Sequence, residues 1–290
     1  MRQPTRVKLK VKNDALTMHL DLRPVIKSWW TSCAFALGLL IFFQLPGTVR
    51  AEENYYQIIN GTQPTVNDNF INDRGYSVYV NFDGQRFLYD VGLKKKSFLG
   101  NMEAAGISLA ALDFVVLSHR HSDHTRGWSF LRKEQPSLPI YIAVGSGLVH
   151  IPEVQKVSDH VKITPNILII HTHDDAGTTE VTDELSIVIR TKKGPYLFTT
   201  NSHTDFFLKV EKAKVLTGED VFFHSGHTLQ RFVPDSIILA NAEKMKALNI
   251  KRVSPSHSSS RHNEVFKKVF GSNYVHAVIG KKVWLEPSPN

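Results

Sequence analysis

Four side chains able to bind a metal fall within six positions of the stretch LSHRHSDHTRGW: His119, His121, Asp123 and His124. They follow directly on the apolar run ALDFVVL, which reads as a buried strand. Side chains two apart in extended backbone point the same way, so His119 and His121 can converge on one ion. Asp123 and His124 sit where the loop turns toward a helix and can face a second ion beside the first. The donors are nitrogen and oxygen only, a set that suits Zn first, with Fe or Mn as alternatives, and disfavours a soft thiolate site. A polar loop or an adventitious metal trap is the competing explanation, and four donors packed at a strand's end weigh against it. His203 in TTNSHTD follows the apolar stretch PYLFTT, and His257 in SPSHSSS follows IKRVS. A single histidine at a strand end is more often a hydrogen-bonded structural residue. Two of them at strand mouths, where ligands of α/β sheets bind, point to a site shared with the cluster.

The elements that must position these residues alternate along residues 52–290. YYQII, YSVYVNF and RFLYD read as strands, with Asp83-Gly84 as a hairpin turn between the last two. KKSFLGNMEAAG reads as a helix stopped by Gly106, DFVVLS as a buried strand, TRGWSFLRKE as a helix closed by Pro136, and LPIYIAV as a strand. In the second half NILIIH, ELSIVIR, PYLFTT, EDVFF and IKRVS read as strands. TDFFLKVEKAKVL, PDSIILANAEKMKALN and RHNEVFKKVFG read as helices, the second opening with Pro, and YVHAVIGKKVWL as a closing strand pair. Runs such as DFVVL suit strands buried on both faces, so the expectation is mixed α/β with helices covering two sheets.

The first 51 residues are of another kind. WWTSCAFALGLLIFF, Trp29 to Phe43, carries no charge, follows Arg23 and Lys27, and precedes small residues at Val49 and Ala51. This is the plan of a secretory signal peptide over residues 1–51, too short for the roughly 20 apolar residues of a span. Met18 is the more ordinary start for such a leader, which would make residues 1–17 an artefact of start-site choice. The segment holds eight of the 35 Lys/Arg and two of the 27 Asp/Glu, so the remainder carries 27 against 25 and is close to neutral. The net charge of +8 is therefore no argument for a nucleic-acid partner. The only cysteine, Cys33, leaves with the leader, and no disulfide or thiolate ligand remains. The expectation is a periplasmic or secreted protein with no stable membrane span after cleavage.

The chain resembles the metallo-β-lactamase-fold hydrolase superfamily over nearly all of residues 53–288. HRHSDH matches its HxHxDH signature, and FLYDVG is similar to its first motif. The resemblance implies a four-layer αβ/βα sandwich for the catalytic domain at 52–290, with two divalent metal ions at one edge. It also implies that His119, His121 and His203 hold one ion, that Asp123, His124 and His257 hold the other, and that Asp90 supports the ligands from behind. The nearest likeness is to the branch of the 7,8-dihydropterin-6-yl-methyl-4-(β-D-ribofuranosyl)aminobenzene 5'-phosphate synthase. It rests on RGYSVYVNFDGQRFLYDVG, DELSIVIRTKKGPYLFTTNSHT and RVSPSH. That branch commonly has cysteines where this chain has Asn201, Ser256 and Ser258, and a secretory leader is a further departure. A bridging carboxylate is harder to place. Asp205 and Asp220 are the nearby acids, while HSGHTL puts His227 where the branch has a site histidine.

Two ions about 3.5–4 Å apart can share a water, lower its pKa toward neutrality and present a metal-bound hydroxide to a carbonyl or phosphorus. Asp123 is the candidate to orient that water or carry its proton, and His227 to stabilise an oxyanion or protonate a leaving group. The expected activity is hydrolysis of a small-molecule ester, lactone, phosphodiester or amide. A pterin-synthase-like transferase and a non-catalytic metal-binding scaffold are the alternatives. IIHTHDDAGTT, with His171, His173, Asp174 and Asp175, reads as a solvated turn near the cleft, and Lys94, Lys95 and Lys96 as a solvated face able to steer a phosphate. There is no P-loop, GxGxxG, GxSxG or SxxK to support nucleotide or serine-nucleophile chemistry. Oligomeric state is not readable from these features.

Overall fold

Alternation and apolar runs become two sheets. The structure, a computed structural model, describes residues 53–174, 180–228 and 233–289. The expected leader, with Cys33 and Met18, lies outside them. β1 (Tyr55–Asn60), β2 (Ser77–Phe82) and β3 (Gln85–Tyr89) form an antiparallel meander, with Asp83 and Gly84 both at positive φ in the tight turn that joins the last two. α1 (Lys95–Ala104), β4 (Phe114–Val116), α2 (Ser122–Thr125), α3 (Trp128–Glu134), β5 (Ile140–Ala143) and β6 (Gln155–Val157) follow. β7 (His160–Thr164), β8 (Ile167–His173), β9 (Asp183–Thr191) and β10 (Gly194–Phe198) are antiparallel. Then come α4 (Phe206–Thr217), β11 (Phe223–Ser225), α5 (Asp235–Ala247), β12 (Arg252–Ser254), α6 (Ser260–Phe270) and β13 (Lys282–Trp284).

One sheet runs β13-β1-β2-β3-β4-β5-β6 and the other β12-β11-β10-β9-β8-β7. Pairing turns parallel at β3/β4 in the first and at β10/β11 in the second. Parallel neighbours require crossover connections, and α1, α4 and α5 supply them. Tyr56, Val80, Phe87 and Phe114 of the first sheet meet Ile169, Leu185, Ile187 and Phe198 of the second in a central core. The outer face of the first sheet packs Leu88 and Val115 against Phe98, Met102 and Leu131 of α1 and α3. The outer face of the second packs Leu168, Val188 and Leu197 against Phe206, Ile238 and Phe266 of α4, α5 and α6. The layers are therefore helix, sheet, sheet, helix, because every central strand must bury both faces.

Several sequence expectations change. TRGWSFLRKE is not one helix: α2 starts inside the histidine motif at Ser122, and α3 starts after Gly127. Gly127 lies against the strand end, where a Cβ would run into the Val91 carbonyl oxygen, so close approach rather than propensity sets the break. The strand expected at EDVFF is shifted to Phe223–Ser225. The closing strand pair reduces to β13, with Ile279 making only isolated bridges. Pro234 caps α5 rather than opening it. β6 and β7 carry mostly exposed or half-buried residues, so they lack the apolar pattern that marks the central strands. IIHTH is strand rather than turn: β8 runs through His173, paired in register with Asp183 of β9, and Asp175 lies outside the described residues. Among the described residues no helix is long and apolar enough to cross a membrane.

Candidate metal centre

The strands that turn parallel end at one common edge, and each candidate ligand sits just past such an end. Asp90 follows β3, His119 follows β4, His203 follows β10, His227 follows β11 and His257 follows β12. Hydrogen bonds fix the histidine motif from both sides: Tyr76 N donates to Asp123 O at 2.9 Å and Val91 N to His124 O at 2.8 Å. His121 caps the single turn of α2 in extended conformation, and its carbonyl accepts from His124 N and Thr125 N. That turn sets the donor atoms of Asp123 and His124 in a second group beside the one that His119 and His121 join.

Ligand atoms then converge in two groups. His119, His121 and His203 place one ring nitrogen each within 4.8 Å of one another, as do the donor atoms of Asp123, His124 and His257. In the first, His119 Nε2 and His121 Nδ1 are 3.1 Å apart, with the His203 ring 4.8 and 4.7 Å from theirs. In the second, Asp123 Oδ2 is 3.8 Å from His124 Nε2 and 3.7 Å from His257 Nε2. The groups adjoin, since the His119 and His124 ring centroids are 4.3 Å apart.

Asp90 sets the tautomers. Its buried carboxylate accepts from Ser118 N at 2.7 Å on Oδ1, and from Ser118 Oγ at 2.8 Å and His124 Nδ1 at 2.6 Å on Oδ2. Ser118 spends its one hydroxyl proton on Asp90, so its oxygen accepts from His119 Nδ1 at 2.8 Å. Both imidazoles thus carry the proton on Nδ1, and both Nε2 lone pairs are left for the groups above. His124 Nε2 is buried with no hydrogen-bond partner among the described residues. An orphaned buried nitrogen facing a carboxylate, in an all N/O donor set, fits a divalent cation. Asp90 and His257 both hold positive φ, 62° and 59°, a conformation that costs energy outside glycine and recurs at functional sites.

Electrostatics favour the ligating form of three of the donors. Burial, reinforced by the neighbouring imidazoles, drives His119 well below the ordinary histidine range. Burial likewise lowers His203, pushed down to about 4 although Glu184 opposes it. For Asp123, burial works upward, but His124 and His257 outweigh it and hold the carboxyl below its usual range. Burial also disfavours a charged His124, but the Asp90 carboxylate outweighs it and raises this ring's affinity for a second proton, which a cation at Nε2 would have to displace.

His227 belongs to neither group. It is buried between the two ligand-bearing loops: its N–H donates to Thr200 O at 3.0 Å, and its carbonyl accepts from Thr199 Oγ1 and Ser202 Oγ. Gly226 lets it in, because a Cβ there would meet the Thr199 carbonyl. Burial first, and then His262, pushes His227 well below the ordinary range, which favours its neutral form. Its Nε2, like that of the adjoining His262, has no hydrogen-bond partner among the described residues. Neither Asp205 nor Asp220 replaces a bridging carboxylate. Asp205 is exposed and caps α4, and Asp220 pairs with Lys214 and Asn249. Lys94, exposed like Lys95 and Lys96, pairs with Asp73 at 2.8 Å. His171 and His173 both contact Asp183 Oδ1, at 2.7 and 3.0 Å, in a separate cluster.

Four participants were not evident in the motif. Ser118 relays Asp90 to His119, and Glu180 reaches His121 Nε2 at 2.9 Å. Glu184 and Lys209 form a buried pair behind the His203 loop. The last two had a signal, since each is a charge set in an apolar stretch, ELSIVIR and FFLKV.

Comparison with known proteins bears on the family and the fold. The profile described as the Beta-lactamase superfamily domain matches residues 85–236, from β3 into the start of α5. The 7,8-dihydropterin-6-methyl-4-(beta-D-ribofuranosyl)-aminobenzene-5'-phosphate synthase of Methanocaldococcus jannaschii is 20% identical over 267 residues, covering 74% of this chain and 91% of its own. Tm1679, a metal-dependent hydrolase of the beta-lactamase superfamily, superimposes with a TM-score of 0.68 at 19% identity, covering 80% of this chain and 99% of its own. A diphosphatase from the PhnP family gives 0.56 at 17%, covering 82% and 100%. These two structures share the fold.

Proposed function

Because the chain belongs to the β-lactamase superfamily domain family, we propose that it is an exported metal-dependent hydrolase with a dinuclear centre, acting on a small ester, lactone, phosphodiester or amide. The observation that carries this reading is the pair of adjoining groups, His119/His121/His203 and Asp123/His124/His257, with one buried carboxylate directing two of the imidazoles. Each group would hold one divalent ion, with Zn as the first expectation and Fe or Mn as alternatives. Bound there, such ions supply Lewis-acid charge and a water activated near neutral pH.

The chain's own residues do the rest. Asp90 holds the His124 Nδ1 proton directly and the His119 Nδ1 proton through Ser118. Asp123 stays ionised beside two imidazoles and can orient a water or accept its proton. His227, buried with Nε2 unpartnered among the described residues, can offer a hydrogen bond there to an oxyanion or a leaving group. Export rests on the WWTSCAFALGLLIFF leader and is tested by fractionation and by the N-terminal sequence of the mature protein.

The functional test is turnover of a chromogenic β-lactam, a phosphodiester and a lactone, with and without chelator, beside metal content by elemental analysis. His121→Ala should lose one ion and abolish turnover. Fewer than one metal per chain, or unchanged turnover in His121→Ala, sinks the enzyme reading. The archaeal synthase favours a second reading, a transferase using the same centre on a phosphorylated substrate. Full metal loading with no hydrolysis of any of the three substrates selects it.

A further inference from the structure

Glu184 and Lys209 make an ion pair at 2.6 Å, and each side chain is only 1% exposed. Taking two charges out of water costs several kcal/mol per ion, and apolar residues of similar size often serve stability as well. What distinguishes the pair is the set of groups it grips. Glu184 Oε2 also accepts from Thr204 N and from Thr204 Oγ1, both at 2.8 Å, and Lys209 Nζ donates to Asn201 O at 3.1 Å. The segment from Asn201 to Thr204 lies in neither helix nor strand and is held at both ends by these two residues, with His203 inside it.

The next residue of β9 completes the frame. Leu185 N donates to Ser118 O at 2.8 Å, immediately before His119. Adjacent positions of one strand therefore pin the loop that carries His119 and the loop that carries His203. His119 and His121 are registered by being two apart in one chain segment. His203 comes from the other sheet and has no such local guarantee.

We propose that the Glu184–Lys209 ion pair is a positioning device that registers His203 against His119 and His121, so that its charge is retained for site geometry rather than for stability. This rests on the metal-centre reading above. The test is Zn2+ binding by chelator competition, with elemental analysis and thermal unfolding of the metal-free form, on the full chain and on Glu184→Gln/Lys209→Met. The double variant leaves no unpaired charge. It is expected to fold and to bind one Zn2+ with wild-type affinity and the other about 10- to 100-fold more weakly. Wild-type affinity at both positions, or equal weakening at both, overturns the proposal, whatever happens to the unfolding temperature. Should the double variant not fold, Thr204→Val decides. It keeps both charges and removes the hydroxyl's bonds to Glu184 Oε2 and to Thr172 Oγ1, so weakening at one position supports the proposal and an unchanged isotherm overturns it. A wild-type chain that binds no Zn2+ refutes the metal-centre reading itself, a distinguishable result.

Discussion

Asp90→Asn removes a charge and almost no volume, which makes it the sharpest probe of the centre. The position facing Ser118 N at 2.7 Å must remain an acceptor, so the new amide oxygen takes it and the amide nitrogen faces Ser118 Oγ and His124 Nδ1. His124 Nδ1 must then accept, which moves its proton to Nε2. Ser118 Oγ, now accepting from the amide, turns its own proton toward His119 Nδ1 and moves that proton to Nε2 as well. Both nitrogens aimed at the metal groups become N–H and cannot ligate. Loss of a hydrogen-bonded partner behind a ligand typically costs about 10- to 100-fold in metal affinity, and here both ions are affected. Losing the charge-assisted bond adds roughly 1.5–3 kcal/mol of destabilisation in the metal-free protein. The assay is Zn2+ competition against a chelator, with 15N NMR of the imidazoles to read the tautomers. Asp90→Asn binding both ions at wild-type affinity with Nδ1 protonated on both rings refutes the tautomer argument.

The metal-free protein should also lose stability with acid. His203 is depressed to about 4 in the fold and titrates near 6.5 when unfolded, so folding favours its neutral form. Its contribution is fully present above about pH 6.5 and lost as pH falls through about 4, and His119 acts in the same direction. Urea midpoints of chelator-treated protein between pH 8 and 4 report this, and a flat profile contradicts it. Gly226→Ala forces a Cβ toward the Thr199 carbonyl at a φ of 131° and should destabilise by at least about 1–3 kcal/mol, visible as a lower unfolding temperature. Glu180→Gln lies on the surface and should leave stability within about 0.5 kcal/mol while weakening the ion held by His121. Equal affinity in that variant would show that the contact is incidental.

Local pattern determined a great deal about this protein. The spacing of His119, His121, Asp123 and His124 behind DFVVL named their chemistry, because two-residue periodicity in extended backbone is a covalent property of the chain. Buried strands and amphipathic helices were legible for the same reason: apolar periodicity is written in the residues themselves. The edge strands β6 and β7 escaped because half-exposed residues leave no such pattern. The strand character of His171 and His173 escaped because Asp183, ten or more positions away, satisfies their polar rings.

What only the tertiary structure decided is how distant segments register. Whether Asp205 or Asp220 faced the site, which nitrogens of His119 and His124 carry protons, and that His227 is buried all depend on groups from other strands. The helix break at Gly127 depends on the Val91 backbone, and the seat of His203 on Glu184 and Lys209. Spacing along the chain sets directions for side chains a few residues apart. Proton positions and the meeting of two sheets are set by packing and by the low dielectric it creates, which no local window contains.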